Sequence, residues 1–412
     1  MLHRILACID TSENELLRLQ RDLVAIPALG PSNGGQGESE KIAYLHEYAK
    51  KFSGLDITTI EAPDHRVPSG IRPSLVIRRP GSSPRTLWLI AHTDVVPVGD
   101  LNLWSGDPFV LRRDGDIIWG RGVEDNHQGM VSALLLLRAL DLAHATPPLS
   151  LGIVLAADEE TGNAFGMEHI LTHHGHHFAP DDLIVIPDFG TPGGDAIEVA
   201  EKSVLWLSFT VQGKQCHAST PDQGVNSLTA CADLILELEK LRDRFNLHDP
   251  LFSPPVSTFV PTKKEANVSN INTLPGQDVF ALDCRVLPAY PLDEVEAAVR
   301  QVRDIVESRR GVDIAFVPVV REQAAAPTDV DSPAVQILRQ AIRDTRGLEP
   351  RTIGIGGGTV AASFRKRGLP AVCWSTLLNS AHQPDEFSSI SNTLADAKTF
   401  AQILFTALPE NA

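Results

Sequence analysis

The sequence predicts an α/β protein: a mostly parallel sheet with helices on both faces, into which a smaller α+β domain of ferredoxin-like order is inserted. Two textures and the chain length carry that prediction. Short, wholly apolar runs alternate with helical patterns through the first half, and the same alternation returns after Glu322. Between them the pattern changes to longer strands of alternating polarity. At 412 residues the chain exceeds what one core usually organises, so two domains are expected, one over 1–203 and 323–412 and the other over 204–322.

In chain order, Ser12 precedes ENELLRLQRDLVAI, an amphipathic helix with a good cap residue. Thr86 to Ala91, Leu149 to Ala156 and Leu183 to Ile186 are apolar runs of strand length and read as buried strands. Gln128 to Leu142 is too long for a strand and too apolar for a surface helix, so it belongs against the sheet. From Val204 the strands VLWLSFTVQ, VFALDCRVL and VDIAFVPVV alternate with helices over Ser227 to Phe245 and Leu292 to Arg309, the order of a ferredoxin-like sandwich. Ser332 to Thr345 then reads as helix, PAVCWST as strand, and Thr393 to Leu408 as a closing helix.

Composition excludes several partners. Lys and Arg number 36 against 52 Asp and Glu, and a net charge of −16 repels a nucleic-acid backbone. No apolar run reaches bilayer-spanning length, and Asp10, Glu13 and Glu15 fall where a signal peptide needs an apolar stretch. A cytoplasmic protein without membrane or nucleic-acid partners is expected. Cys8, Cys216, Cys231, Cys284 and Cys373 are scattered, odd in number and without a C-x-x-C pair, so all five read as reduced thiols. Cys216 adjoins His217, but neighbours on a strand point to opposite faces, which argues against a nucleophile. The tract THHGHHF, residues 172–178, follows a helical pattern and reads as an exposed, incidental feature.

Five separated segments place ionisable residues just past a strand end, where open α/β sheets build their sites. In AHTDVVP, His92 and Asp94 project to one side of an extended chain, where a carboxylate can hold the second nitrogen of a metal-bound imidazole. Asp125 in WGRGVEDNHQGM stands at a helix entrance, as a cap or as a ligand. In LAADEETG, Asp158, Glu159 and Glu160 follow an apolar strand, a repulsion that bound cations would offset. Asp188 ends the strand of IVIPDFG, and NSAHQPDEF carries His382 with Asp385 and Glu386 nearby. Two divalent ions and a bridging hydroxide would balance the charges of Asp125, Glu160 and Asp188. Adding the neutral imidazoles of His92 and His382 gives a nitrogen and oxygen set suited to zinc, with cobalt or manganese as substitutes.

H-x-D, G-x-x-D-N, E-E, a lone Asp and a late A-H-x-x-D-E, in this order, resemble the metallopeptidase and deacylase family of acetylornithine deacetylase, succinyl-diaminopimelate desuccinylase, aminoacylase and glutamate carboxypeptidase. The resemblance spans essentially the whole chain, including GKQCHAS, NINTLPG and LDCRVLP. It implies a zinc-peptidase-like catalytic domain with an inserted lid and dimerisation domain. Asp125 would bridge two ions, His92 and Asp188 completing one site, Glu160 and His382 the other. Asp94 would orient His92, and Glu159 would be the general base. His217 would stabilise the oxyanion, with Asn272, Arg285, Gly357, Gly358 and Thr359 holding a substrate carboxylate or backbone. The family also implies a cis peptide at Asp125–Asn126 and a homodimer formed through the inserted domain.

The activity this implies is hydrolysis of the amide bond in an N-acyl amino acid, or another small amino-acid-derived substrate, by a metal-bridging hydroxide. A dipeptidase or aminopeptidase is the rival, because Asp at position 188 resembles those branches whereas the deacylases usually carry Glu. A non-catalytic binding protein is the third reading. Retention of Glu159 beside a full ligand set argues against it, since binding needs no base.

Overall fold

A computed structural model describes residues 1–406. The chain divides into two compact units: Met1–Val199 with Thr328–Ile353 and Thr359 onward, and Ala200–Pro327 with Gly354–Gly358. The second unit thus takes in a short return of chain, Gly354–Gly358, beyond the expected 204–322.

The first unit is built on an eight-stranded sheet in the order Asp56–Pro63, Ile71–Arg79, Ser150–Ala156, Thr86–His92, Leu183–Gly190, Ala371–Ser375, Ala196–Glu201, Arg351–Ile355. Its central strands run parallel and are buried along their length, which is why their sequences are continuous apolar runs rather than alternating ones. Strands Asp56–Pro63 and Ile71–Arg79 form an antiparallel flank. Helix His127–Leu142 is buried over nearly its whole length between the sheet and helices Glu13–Val24 and Ile390–Leu404. On the other face Met167, Ile170 and Phe364 pack with Trp88, Ile90 and Ile184. Helices therefore cover both faces, as the sequence predicts.

Four local readings differ. Strand Leu183–Gly190 continues past Ile186, so Asp188 lies inside the strand and not after it. The Ser12 hydroxyl donates to the Cys8 carbonyl at 2.7 Å, closing the preceding helix Leu2–Asp10 rather than capping Glu13–Val24. The helix expected over Ser227 to Phe245 stops at Glu239, and a separate turn, Leu241–Arg244, swings Phe245 against Phe259 and Tyr290. The closing helix is Ile390–Leu404, begun by the Ser389 hydroxyl accepting the Asn392 N–H at 3.1 Å; the expected end at Leu408 lies outside the described residues.

The second unit is a four-stranded antiparallel sheet ordered Thr258–Lys264, Gln277–Val286, Ser203–Gln212, Asp313–Glu322. Helices Ser227–Glu239 and Leu292–Arg310 pack on one face, and Phe209 stacks on Phe280 at 4.8 Å in the core between. Trp206, Val317 and Val319 are exposed on the same sheet.

Candidate metal centre

Strand Thr86–His92 ends on His92, which is buried. Its Nδ1 donates to the Asp94 backbone carbonyl at 3.0 Å, which fixes the tautomer and leaves Nε2 facing the Asp125 Oδ1 at 2.8 Å and the Asp188 Oδ1 at 3.5 Å. The Asp94 carboxylate stands farther off, 3.5 Å from Nδ1, and accepts the backbone N–H groups of Glu159 and Glu160 at 3.0 and 3.1 Å. Asp94 therefore holds the imidazole through its main chain and the two glutamates through its side chain.

Asp125 turns one oxygen to each histidine: Oδ1 to His92, and Oδ2 to His382 Nε2 at 3.2 Å. Glu160 Oε2 lies 3.2 Å from the same His382 nitrogen. Two trios result, His92 with Asp125 and Asp188, and Asp125 with Glu160 and His382, each presenting ligand atoms within 4.8 Å of one another. They share Asp125. Glu159 belongs to neither trio, and among the described residues its carboxylate accepts no hydrogen bond.

The donor set fits divalent cations. The ion pairs of Asp125, Glu160 and Asp188 among the described residues are with histidines only, and the buried Glu160 Oε1 has no hydrogen-bond partner at all. For the protein alone, burial pushes Glu159 well above the usual carboxylate range, with Asp188 adding to the effect. Burial likewise raises Glu160 and Asp188. Asp125 resists its burial through hydrogen bonds from His382 and His92 and stays low. The Asp125 and Glu160 carboxylates lift His382 to about 10. His92 lies well above the ordinary imidazole value although burial opposes it, because Asp188 and Asp125 outweigh the desolvation.

The backbone around these residues is specialised. The Asp125–Asn126 peptide is cis. Asp158 and His382 sit at φ of 62° and 64°, a left-handed conformation costly for residues with side chains and sustained by their surroundings. Arg72, fully buried, holds Asp158 at 3.0 Å and also pairs with Glu38, which pins the start of the Glu159–Glu160 turn.

Supporting residues hold these segments in place; Glu386 closes the A-H-x-x-D-E motif, whereas Glu124, Lys41 and His127 are not singled out by the sequence. The Glu386 carboxylate accepts the N–H groups of Gly122, Glu124 and Asp125 and pairs with Arg121 at 2.7 Å. Glu124 in turn accepts from Leu378, Asn379 and Ser380 in the loop leading to His382. Lys41 and His127 are both buried, their Nζ and Nε2 2.9 Å apart, and burial pulls the Lys41 ammonium down to about 7 against the pull of Asp94, Glu38 and Glu386. Asp385, expected near the site, instead binds Ser105 and Arg112.

The remaining predicted residues, apart from Thr359, belong to the second unit. His217 lies in a short ribbon, Cys216–His217 against Thr273–Leu274, with the Ala218 N–H on the Asn272 carbonyl at 2.9 Å, so His217 and Asn272 are neighbours. The Ser219 backbone N–H donates to His217 Nδ1 at 3.1 Å, which leaves Nε2 as the protonated, donating nitrogen of the neutral ring. Arg285 is engaged by Asp283 at 2.9 Å and by the Gly356 carbonyl at 2.7 Å, so it braces the glycine run. A Cβ at Gly356, Gly357 or Gly358 would meet open space. In the first unit the Thr359 hydroxyl lies 3.3 Å from Cys373 Sγ and accepts the Ala361 N–H.

A set of carboxylates and imidazoles gathered around shared Asp125, running from buried His92 to exposed His382, is the site of a metal-dependent hydrolase of the peptidase and amidohydrolase class. Residues 88–406 match the model of peptidase family M20/M25/M40, and the chain belongs to that family. It is 36% identical to an uncharacterized metallohydrolase of Methanococcus maripaludis, over 95% of this chain and 99% of that one. It is 26% identical to a succinyl-diaminopimelate desuccinylase of Nitratiruptor, over 91% and 95%. Among solved structures, human carnosine dipeptidase 1 superposes with a TM-score of 0.73 over 98% of both chains at 18% identity, a likeness of fold.

Proposed function

We propose that this protein hydrolyses the amide bond of a small N-acyl amino acid, as the acetylornithine and succinyl-diaminopimelate deacylases do, with two divalent ions, zinc first. The observation that carries the reading is the division of Asp125 between two trios while Glu159 stays outside both. His92 and Asp188 would hold one ion, Glu160 and His382 the other, and Asp125 both. Bound there, the ions would lower the pKa of water and polarise the scissile carbonyl.

The protein's own groups supply the rest. Glu159, half-buried and raised, is suited to take a proton from the attacking water and deliver it to the departing amine nitrogen. Asp94 holds the turn that carries Glu159 and Glu160 by accepting both backbone N–H groups. His217, with Nε2–H free to donate, is assigned to the developing oxyanion. Asn272, Gly357, Gly358 and Thr359 are assigned to the substrate carboxylate or backbone, with Arg285 holding the glycine run for them. The sheet edges of the second unit are assigned to a homodimer.

A dipeptidase is the second reading, favoured by the shorter Asp at position 188 and by the fold shared with carnosine dipeptidase 1. The deciding experiment offers metal-loaded protein N-acetyl, N-succinyl and N-formyl amino acids beside dipeptides and measures released amine. Turnover of N-acyl amino acids supports the first reading; turnover of dipeptides alone replaces it with the second.

A further inference from the structure

The five histidines between Glu168 and Phe178 are used by none of the chemistry above. Helix Met167–His173 carries His169 and His173 one turn apart on one face, their rings 4.6 Å centre to centre. His174, just beyond the helix, brings its ring to 6.2 Å from His169 and 6.2 Å from His176, and His176 lies 4.5 Å from His177. Five imidazoles thus form one continuous chain. Among the described residues no hydrogen bond or carboxylate commits any of their side chains.

The backbone beneath them is fixed. Phe178, buried, packs on Trp88 at 4.8 Å and on Phe364 at 5.1 Å, and His177 turns its edge to Trp88 at 6.5 Å. Burial lowers the affinity of His169 and His177 for protons, and the neighbouring histidines lower it further, which favours the neutral, metal-ligating ring. A purely imidazole set selects zinc, nickel or copper over magnesium, calcium or manganese.

We propose that this segment is a separate binding site for one divalent transition ion, chelated by His169 and His173 with His174 as the third nitrogen. As they stand the three rings meet only through His169, and their nitrogens are not yet gathered as closely as those of the two trios. His173 is exposed and His174 half-buried, so the ion would draw the set together by rotation of these side chains on the helix end.

The test counts ions. Wild type and the double variant His169→Gln/His173→Gln are dialysed against rising free zinc, and bound ions per chain are read by elemental analysis, with copper(II) paramagnetic resonance as a second probe. The wild type is expected to take one ion per chain more than the variant, and that extra ion should bind at least tenfold more weakly to the variant. Its copper signal should show nitrogen ligands only. His176→Gln/His177→Gln should keep the extra ion, and melting temperatures of both variants should match wild type. Equal ion counts in wild type and His169→Gln/His173→Gln would overturn the proposal, as would loss of the ion in His176→Gln/His177→Gln. Because the count is a difference, failure of the candidate metal centre would lower both proteins alike and leave this result readable.

Discussion

Glu124 and Glu386 clasp each other's loops. Glu124 takes the N–H groups of Leu378, Asn379 and Ser380 and the Ser380 hydroxyl, while Glu386 takes those of Gly122, Glu124 and Asp125. Each carboxylate thereby sets the backbone of the segment that carries the other's nearest candidate ligand, Asp125 or His382. Neither carboxylate bonds a side chain of either trio; Glu386 reaches Asp125 through its backbone N–H alone.

This arrangement predicts an effect at a distance. Glu124→Gln keeps the shape but turns an acceptor into a donor and leaves buried N–H groups without partners, at a cost of about 2–4 kcal/mol. Urea denaturation should show that loss. Ion counting should show the second ion, at Glu160 and His382, weakened more than the first.

Glu159→Gln and Glu160→Gln should part company. The first removes proton transfer and no ligand, so both ions stay and the rate falls by about two to four orders of magnitude. The second removes a ligand, so one ion should be lost. Opposite ion contents would reverse the assignment of the pair.

Gly122 occupies a φ of 87°, and a Cβ there would lie 2.8 Å from His127 Cε1 and from Val95 Cγ1. Left-handed strain and the clash with a buried ring add, so Gly122→Ala should destabilise by about 2–4 kcal/mol, read as a shift of the denaturation midpoint.

Ion uptake should release protons. The carboxylates beside His92 and His382 raise both imidazoles, His382 to about 10, so at neutral pH the protein alone holds them protonated, whereas a ligand must be neutral. Each ligated histidine gives up its proton on loading, and ion affinity should fall as pH falls. Calorimetry in buffers of different ionisation enthalpy measures the number released; a value of zero would contradict the protonation states given for the two rings.

The candidate ligands were legible in the sequence because each ends or follows an apolar strand, where an isolated acid or histidine stands out. His92, Asp125, Glu160 and His382 are of this kind, and Asp188 could be picked out even though its strand runs two residues beyond it. Supporting residues could not be read this way. Glu124 and Leu378 are separated by 254 residues, and Lys41 and His127 by 86, so nothing local marks either pair. Ser12 misled for a related reason: its hydroxyl satisfies the helix behind it instead of the one ahead. Arg285, read from the sequence as a partner of the substrate carboxylate or backbone, is also paired with Asp283, two residues away on the same strand, a contact its motif does not announce.

The most direct test of the central claim is activity against ion content. Protein stripped by exhaustive chelation and verified ion-free by elemental analysis should show no turnover of any amide substrate that the ion-loaded protein cleaves. Activity should return as zinc, cobalt or manganese is restored to the two trios. Full turnover by the verified ion-free protein would contradict the account.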